Sequence, residues 1–240
     1  YEIRLSLVGS EMCIRDRRQA IAYAINNQDI VDSIYNGSAT VATSPIPKIT
    51  TGHNENSNPY EQNIEKAKEL LAEAGYPNGF DIVLNVNEDN QRVDTAVVIQ
   101  DNLKAIGVNV QIKTYQWASY VAFVENPSQE KGMFLMAWNI ANDDPDELLY
   151  PLYHSSQIDA HTNVIFYKNE DFDSLISKAR ETIDKEKRID LYKKAQDIIQ
   201  EDLPHYAILY PMQNFAYKKN IKGIEVNKRG YFNFQNTIVE

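Results

Sequence analysis

Two histidines and an aspartate, His154, Asp159 and His161, fall within the run HSSQIDAH, near enough along the chain to share a metal ion. The spacing is unspecific, and histidines in a polar loop are better read as facing solvent. No metal and no cofactor is expected. Acids are plentiful, 34 Asp and Glu in 240 residues, so pairs at glycosidase-like spacing are bound to occur and none stands out. The chain contains no GxSxG, no HExxH and no glycine-rich phosphate loop. No catalytic residue is assigned, and a secreted hydrolase is the least favoured reading. Two indoles remain, Trp117 and Trp138, which are either core aromatics or flat apolar walls of a binding site.

The scaffold holding these residues is limited first by composition. At 43% hydrophobic, 240 residues can bury a sizeable core. The longest apolar run, Met133 to Trp138, is far shorter than the ~20 residues of a membrane-spanning helix. Net charge is -10, and no Lys/Arg stretch is long enough to track phosphates, so nucleic acid and anionic membrane are poor partners. The single cysteine, Cys13, rules out an intrachain disulfide and a cysteine-based metal cluster. Residues 1–17 lack the order of charged, apolar and small-residue regions that marks a signal peptide. The stretch LVGSEMCIRDR, 7–17, resembles a translated sequencing-adapter tail, so residues 1–17 read as a non-native leader outside the fold.

From Arg18 the hydrophobic pattern is regular. Ala20, Ile21, Ala24, Ile25 and Val31 form one helical stripe, ended by Asn36 and Gly37. Residues 38–62, rich in Thr, Ser, Asn and Pro, read as a long surface loop, a length often tied to function. Asn63 caps a helix that Gly75 and Pro77 stop. Strands at 80–86, 108–114 and 133–138 alternate with helices at 93–106 and 117–124. This βαβαβ run predicts an α/β fold, with a mainly parallel sheet flanked by helices. Helices follow at 146–153, 170–181 and 184–201, the last capped by Asp184, and then a strand at 205–210. Residues 211–240 are loop-rich and too poor in apolar residues for a domain of their own.

In this order, the segments RQAIAYAI (18–25), NIEKAKELLAEAGYPNGF (63–80), QWASY (116–120), Trp138 ahead of Asp144-Pro-Asp146, NEDFD (169–173) and RIDLY (188–192) resemble the oligopeptide- and dipeptide-binding receptors of ABC importers. The resemblance implies a periplasmic-binding-protein-like fold of two lobes, with residues 18–210 forming the C-terminal ligand-binding lobe. Residues 211–240 would return to the N-terminal lobe, whose body this sequence lacks. It further implies capture of a peptide outside the cytoplasm, in the periplasm or on a cell-surface lipoprotein, by a monomer that hands its cargo to ABC permease subunits. A glycan, opine or metal chelate is the alternative cargo.

In such receptors the ligand main chain lies beside the strand matching Trp138, like an added strand. That points to Ala137, Trp138 and Asn139 as contacts, to Trp117 as an apolar wall, and to Tyr210 near the crossing between lobes. Many members hold the ligand ammonium with an aspartate at the place of Ala141; here only the neighbours Asn142 and Asp143 are polar, so Asp143 would have to substitute. Leu135 stands where some members carry an arginine that meets the ligand. Arg92 or Gln91, at a helix start, is left to take an anionic end by charge and helix dipole.

Overall fold

Short polar side chains fix where the helices begin. Asn63 accepts a hydrogen bond from the Lys66 N–H, Asp89 from that of Arg92, Asn169 from that of Phe172, and Asp184 from those of Glu186 and Lys187. Each cap satisfies backbone donors that a helix cannot pair internally. The computed structural model describes residues 2–7, 12–55, 60–126, 132–227 and 230–240. In chain order it runs β1 (Glu2–Leu7), α1 (Met12–Ala24), α2 (Asn27–Ile30), β2 (Ala39–Val41), α3 (Ile64–Glu73), β3 (Asp81–Asn87) and α4 (Asn90–Lys104). It continues with β4 (Asn109–Tyr115), α5 (Trp117–Glu125), β5 (Met133–Trp138), α6 (Asp146–Tyr153), α7 (Glu170–Glu181), α8 (Lys185–Asp202) and β6 (His205–Pro211).

One six-stranded sheet, in the order β2-β6-β1-β5-β3-β4, carries the fold. β3 pairs in parallel with both β4 and β5, as the βαβαβ pattern requires. β1 is antiparallel to both its neighbours, and β2 to β6. The sheet divides the apolar residues into two layers. Along β5, Met133 and Leu135 join Leu84, Ile99 and Leu209 on one face. Phe134, Met136 and Trp138 join Tyr120, Leu149, Phe172 and Tyr192 on the other. β3 and β4 start side by side because Gly79 and Gly107 touch. A Cβ at Gly79, which has φ 78°, would lie 2.0 Å from the Gly107 carbonyl oxygen.

Three expectations change. Residues 1–17 do not stand wholly outside the fold: Glu2–Leu7 forms β1, between β5 and β6, and α1 begins at Met12. The overlooked signal is period-two alternation in EIRLSL, the pattern of a strand. Positions 1 and 8–11 of that leader lie outside the described residues. The first helix is also not continuous to Gly37. Asn26 turns its side chain onto the Gln28 and Asp29 N–H groups, which ends α1 and starts α2, and a π-helical turn, Val31–Tyr35, follows. The 38–62 loop, lastly, is no mere surface segment. It contributes β2, and Ser44, Ile46, Thr50 and Asn54 are buried.

Candidate ligand-binding site

Parallel strands present their carboxyl ends on one edge, and ligands of open α/β sheets bind there. Beyond that end of β5 lies a concavity of about 740 Å³, within the range of small-molecule sites. Trp138, Asn139 and Asp143 line one side, Tyr210 and Met212 another, and Lys48 and Ile49 a third. A second hollow, about 10 Å³, bordered by Thr43, Tyr153 and His205, is too small for a solute.

Each wall is fixed by local chemistry. Trp138 packs against the second apolar layer, and its indole N–H donates to the Glu147 carbonyl at 2.8 Å. It is thus both core aromatic and wall. Glu147, in the first turn of α6, gathers the loop after β5. Its Oε2 accepts from the Ala141 N–H at 2.6 Å and the Asn142 N–H at 2.7 Å, and its Oε1 from the Asn142 amide. Ala141 brings no carboxylate, and Asn142 is turned to Glu147. Asp143 does reach the wall, on a backbone with φ 54°. Its carboxylate accepts from the Thr51 N–H at 2.7 Å and the Thr51 hydroxyl at 3.0 Å, tying this loop to the 44–54 segment. Tyr210 presents its ring, because its phenol donates to the Ser44 carbonyl and accepts from the Ser44 N–H at 3.1 Å. Leu135 is fully buried in the first apolar layer, so no ligand group is met there.

Trp117 and Arg92 do not line this concavity. They form a separate shelf at the ends of β3 and β4. Trp117 is 52% exposed, and the Arg92 guanidinium lies 5.8 Å from its ring centre. Arg92 also donates to Asn87 Oδ1 at 2.5 Å. Behind the shelf, burial pushes the Tyr120 phenol well above the ordinary tyrosine value, against the opposing pull of Arg92. Of the residues singled out from sequence, the concavity collects Trp138, Asn139, Asp143 and Tyr210. Ala137, Ala141 and Asn142 belong to the strand and loop carrying them. Sequence reasoning missed Lys48 and Ile49; the length of the 38–62 loop was the available signal.

The acids after Asp143 face away from this wall. Both Asp144 oxygens accept from the Arg188 Nη2, at 2.8 and 3.0 Å, and Nη2 also meets the Tyr192 phenol at 2.9 Å. Asp146 accepts from the Tyr192 phenol at 3.2 Å and lies 3.4 Å from Arg180. Burial raises the Asp146 pKa above its ordinary 3.8, although Arg180 and Tyr192 pull it down. A carboxyl with a higher pKa folded than unfolded adds stability as pH falls through the folded value, and does so fully below the unfolded one. Between pH 7 and pH 4, Asp146→Asn should therefore lose ground to the parent protein in urea unfolding. A stability gap that is constant, or that moves the other way, would refute this.

His154 is half-buried rather than solvated, and its neighbours have the composition of a Ser-His-Asp triad. Its Nε2 is 3.3 Å from Ser177 Oγ, and its Nδ1 is 3.9 Å from Asp173. The polarity is wrong for a nucleophile. Nδ1 accepts from the Ser156 N–H at 3.2 Å, which places the neutral ring's proton on Nε2, where a general base needs a lone pair. Asp173 instead accepts from the Ser155 N–H and hydroxyl. Among the described residues no three of His, Cys, Asp or Glu converge to hold a metal ion, and no helix is long and apolar enough to cross a membrane.

Residues 12–160 match the family model described as bacterial extracellular solute-binding proteins, family 5. The chain is 33% identical to heme-binding protein A of Haemophilus influenzae, over 93% of its own length and 41% of that protein. It is 32% identical to the dipeptide-binding protein of Escherichia coli, over 93% and 42%. Among solved structures, it superposes on the ABC transporter-associated periplasmic binding protein DppA from Helicobacter pylori, in complex with the peptide STSA. That match has a TM-score of 0.81 at 36% identity, and covers 88% of this chain and 41% of the other. The chain thus spans about two fifths of the length of the curated relatives it matches.

Proposed function

We propose that this chain, which belongs to family 5 of the bacterial extracellular solute-binding proteins, forms one jaw of a receptor that captures peptides outside the cytoplasm and delivers them to an ABC permease. The observation carrying this reading is the concavity of about 740 Å³ beyond β5, lined by Trp138 and Asn139 where the strand ends. Backbone pairing tolerates any peptide sequence, since those groups recur in every residue. The names of the Escherichia coli and Helicobacter pylori relatives support peptide as cargo. In this reading Trp138 and Tyr210 are apolar walls, Asn139 pairs with ligand backbone, and Asp143 meets the ammonium in place of Ala141.

Residues 18–210 are the jaw proper, and 211–240 belong with the opposing lobe. The exposed aromatics of the latter segment support this. Phe234 is 60% exposed; Phe215 meets Phe232 edge-on, and Phe232 stacks on Phe234. The receptor acts as a monomer held in the periplasm or at the cell surface. Closure of one lobe upon the other is the signal that the permease reads.

A thermal-shift panel on the full-length protein tests the reading, with di- to nonapeptides set against a glycan oligomer, an opine and a metal chelate. A peptide at a hundredfold its Kd should add about 2.7 kcal/mol of stability. Stabilisation by non-peptides alone, or turnover of the stabilising compound, would overturn it. The 240-residue chain on its own should bind the same peptide more weakly than micromolar, because tight binding encloses most of a ligand's surface. Titration calorimetry on the two forms checks this.

A further inference from the structure

We infer that Lys48 selects for ligands that carry an anionic group, a role that rests on the peptide reading and names which end of the peptide this wall holds. Among the described residues, two charged ones line the concavity, Lys48 and Asp143. Asp143 is tied to Thr51 through both its oxygens. Lys48 is exposed, and no ion pair or hydrogen bond engages its ammonium among the described residues.

Its backbone, by contrast, is held firmly. Pro45 and Pro47 restrict the chain before it. The Ile46 carbonyl is met by His53 Nδ1 at 2.7 Å and by the Tyr210 phenol at 3.2 Å. On the far side, Thr51 is bound to Asp143, and the Gly52 carbonyl to Gln196 at 2.8 Å. A cation on a fixed rim, in no ion pair among the described residues, needs little reorganisation to meet an anion. In a chain of net charge -10 it also offsets a field that would otherwise repel carboxylates. Arg92, by contrast, is bonded to Asn87, lies over Trp117 and is off the concavity wall.

The test uses the full-length protein with trialanine, trialanine amide and N-acetyl-trialanine, by titration calorimetry. The parent protein should bind the free acid about tenfold more tightly than the amide. Lys48→Gln should cost the acid about tenfold and the amide far less, closing most of the gap, and Lys48→Arg should restore most of it. Equal loss of acid and amide in Lys48→Gln would reveal a packing role and overturn the inference. So would a gap that survives in Lys48→Gln, or one that disappears in Arg92→Gln instead. Peptides that bind without any acid–amide gap would leave the peptide reading standing and end this one. Failure of all three probes to bind would remove both.

Discussion

Gln196→Leu should lower the unfolding free energy by about 3–5 kcal/mol, close to the upper end for a single substitution. Gln196 is completely buried on α8, and all its hydrogen-bonding capacity is used. Its Oε1 accepts from the Ser44 hydroxyl at 2.7 Å and the Asn54 N–H at 3.2 Å, and its Nε2 donates to the carbonyls of Gly52 at 2.8 Å and Tyr192 at 3.1 Å. Leucine fills nearly the same volume but removes the amide's hydrogen bonds to three groups of the 44–54 segment. Each stranded group costs about 1–3 kcal/mol, and partial exposure around Gly52 keeps the total below the sum. In a protein of this size such a loss corresponds to roughly 10 °C in Tm. Urea unfolding of the chain and its variant checks it, and a loss under 1 kcal/mol would show that the segment stands without this anchor.

The second large effect concerns binding. Glu147→Ala in the full-length protein should weaken trialanine binding by about ten- to hundredfold, with a far-UV spectrum like the parent's. One carboxylate holds the Ala141 and Asn142 backbone, and the same residue's carbonyl receives the Trp138 indole. Its charge sits at the start of α6, where the helix dipole favours an anion. Alanine keeps α6 but frees the loop, so the ligand must order Asn139 to Asp143 as it binds. Glu147→Gln keeps one acceptor and should fall between the two. A Kd within twofold of the parent's, with the fold intact, would mean that the loop is set by something else.

The regular elements were legible because their signals are local. Asn63 and Asp184 cap the helices they were expected to cap, and Met133–Trp138 and Asp146–Tyr153 coincide with their expected spans. Backbone periodicity needs no distant partner to be read. The 44–54 segment was illegible for the opposite reason. Ser44, Asn54 and Thr51 look like surface loop residues until α8 and the loop after β5 arrive to pair with them. The site divides in the same way. Trp138 and Asn139 come from the family resemblance, and the structure sets both on the concavity wall at the end of β5. Arg92 looked available, since its bond to Asn87 and its place over Trp117 depend on tertiary packing.

The alternation along β5 has a consequence for how such a protein can change. Met133 and Leu135 face one apolar layer, while Phe134 and Trp138 face the other, and the sheet stands between them. Residues with no shared neighbour contribute nearly additively. Selection can therefore remodel the layer behind the concavity wall, residue by residue, while the opposite layer keeps the sheet assembled. A lineage of receptors can diverge in cargo on such a chassis without renegotiating its foundation.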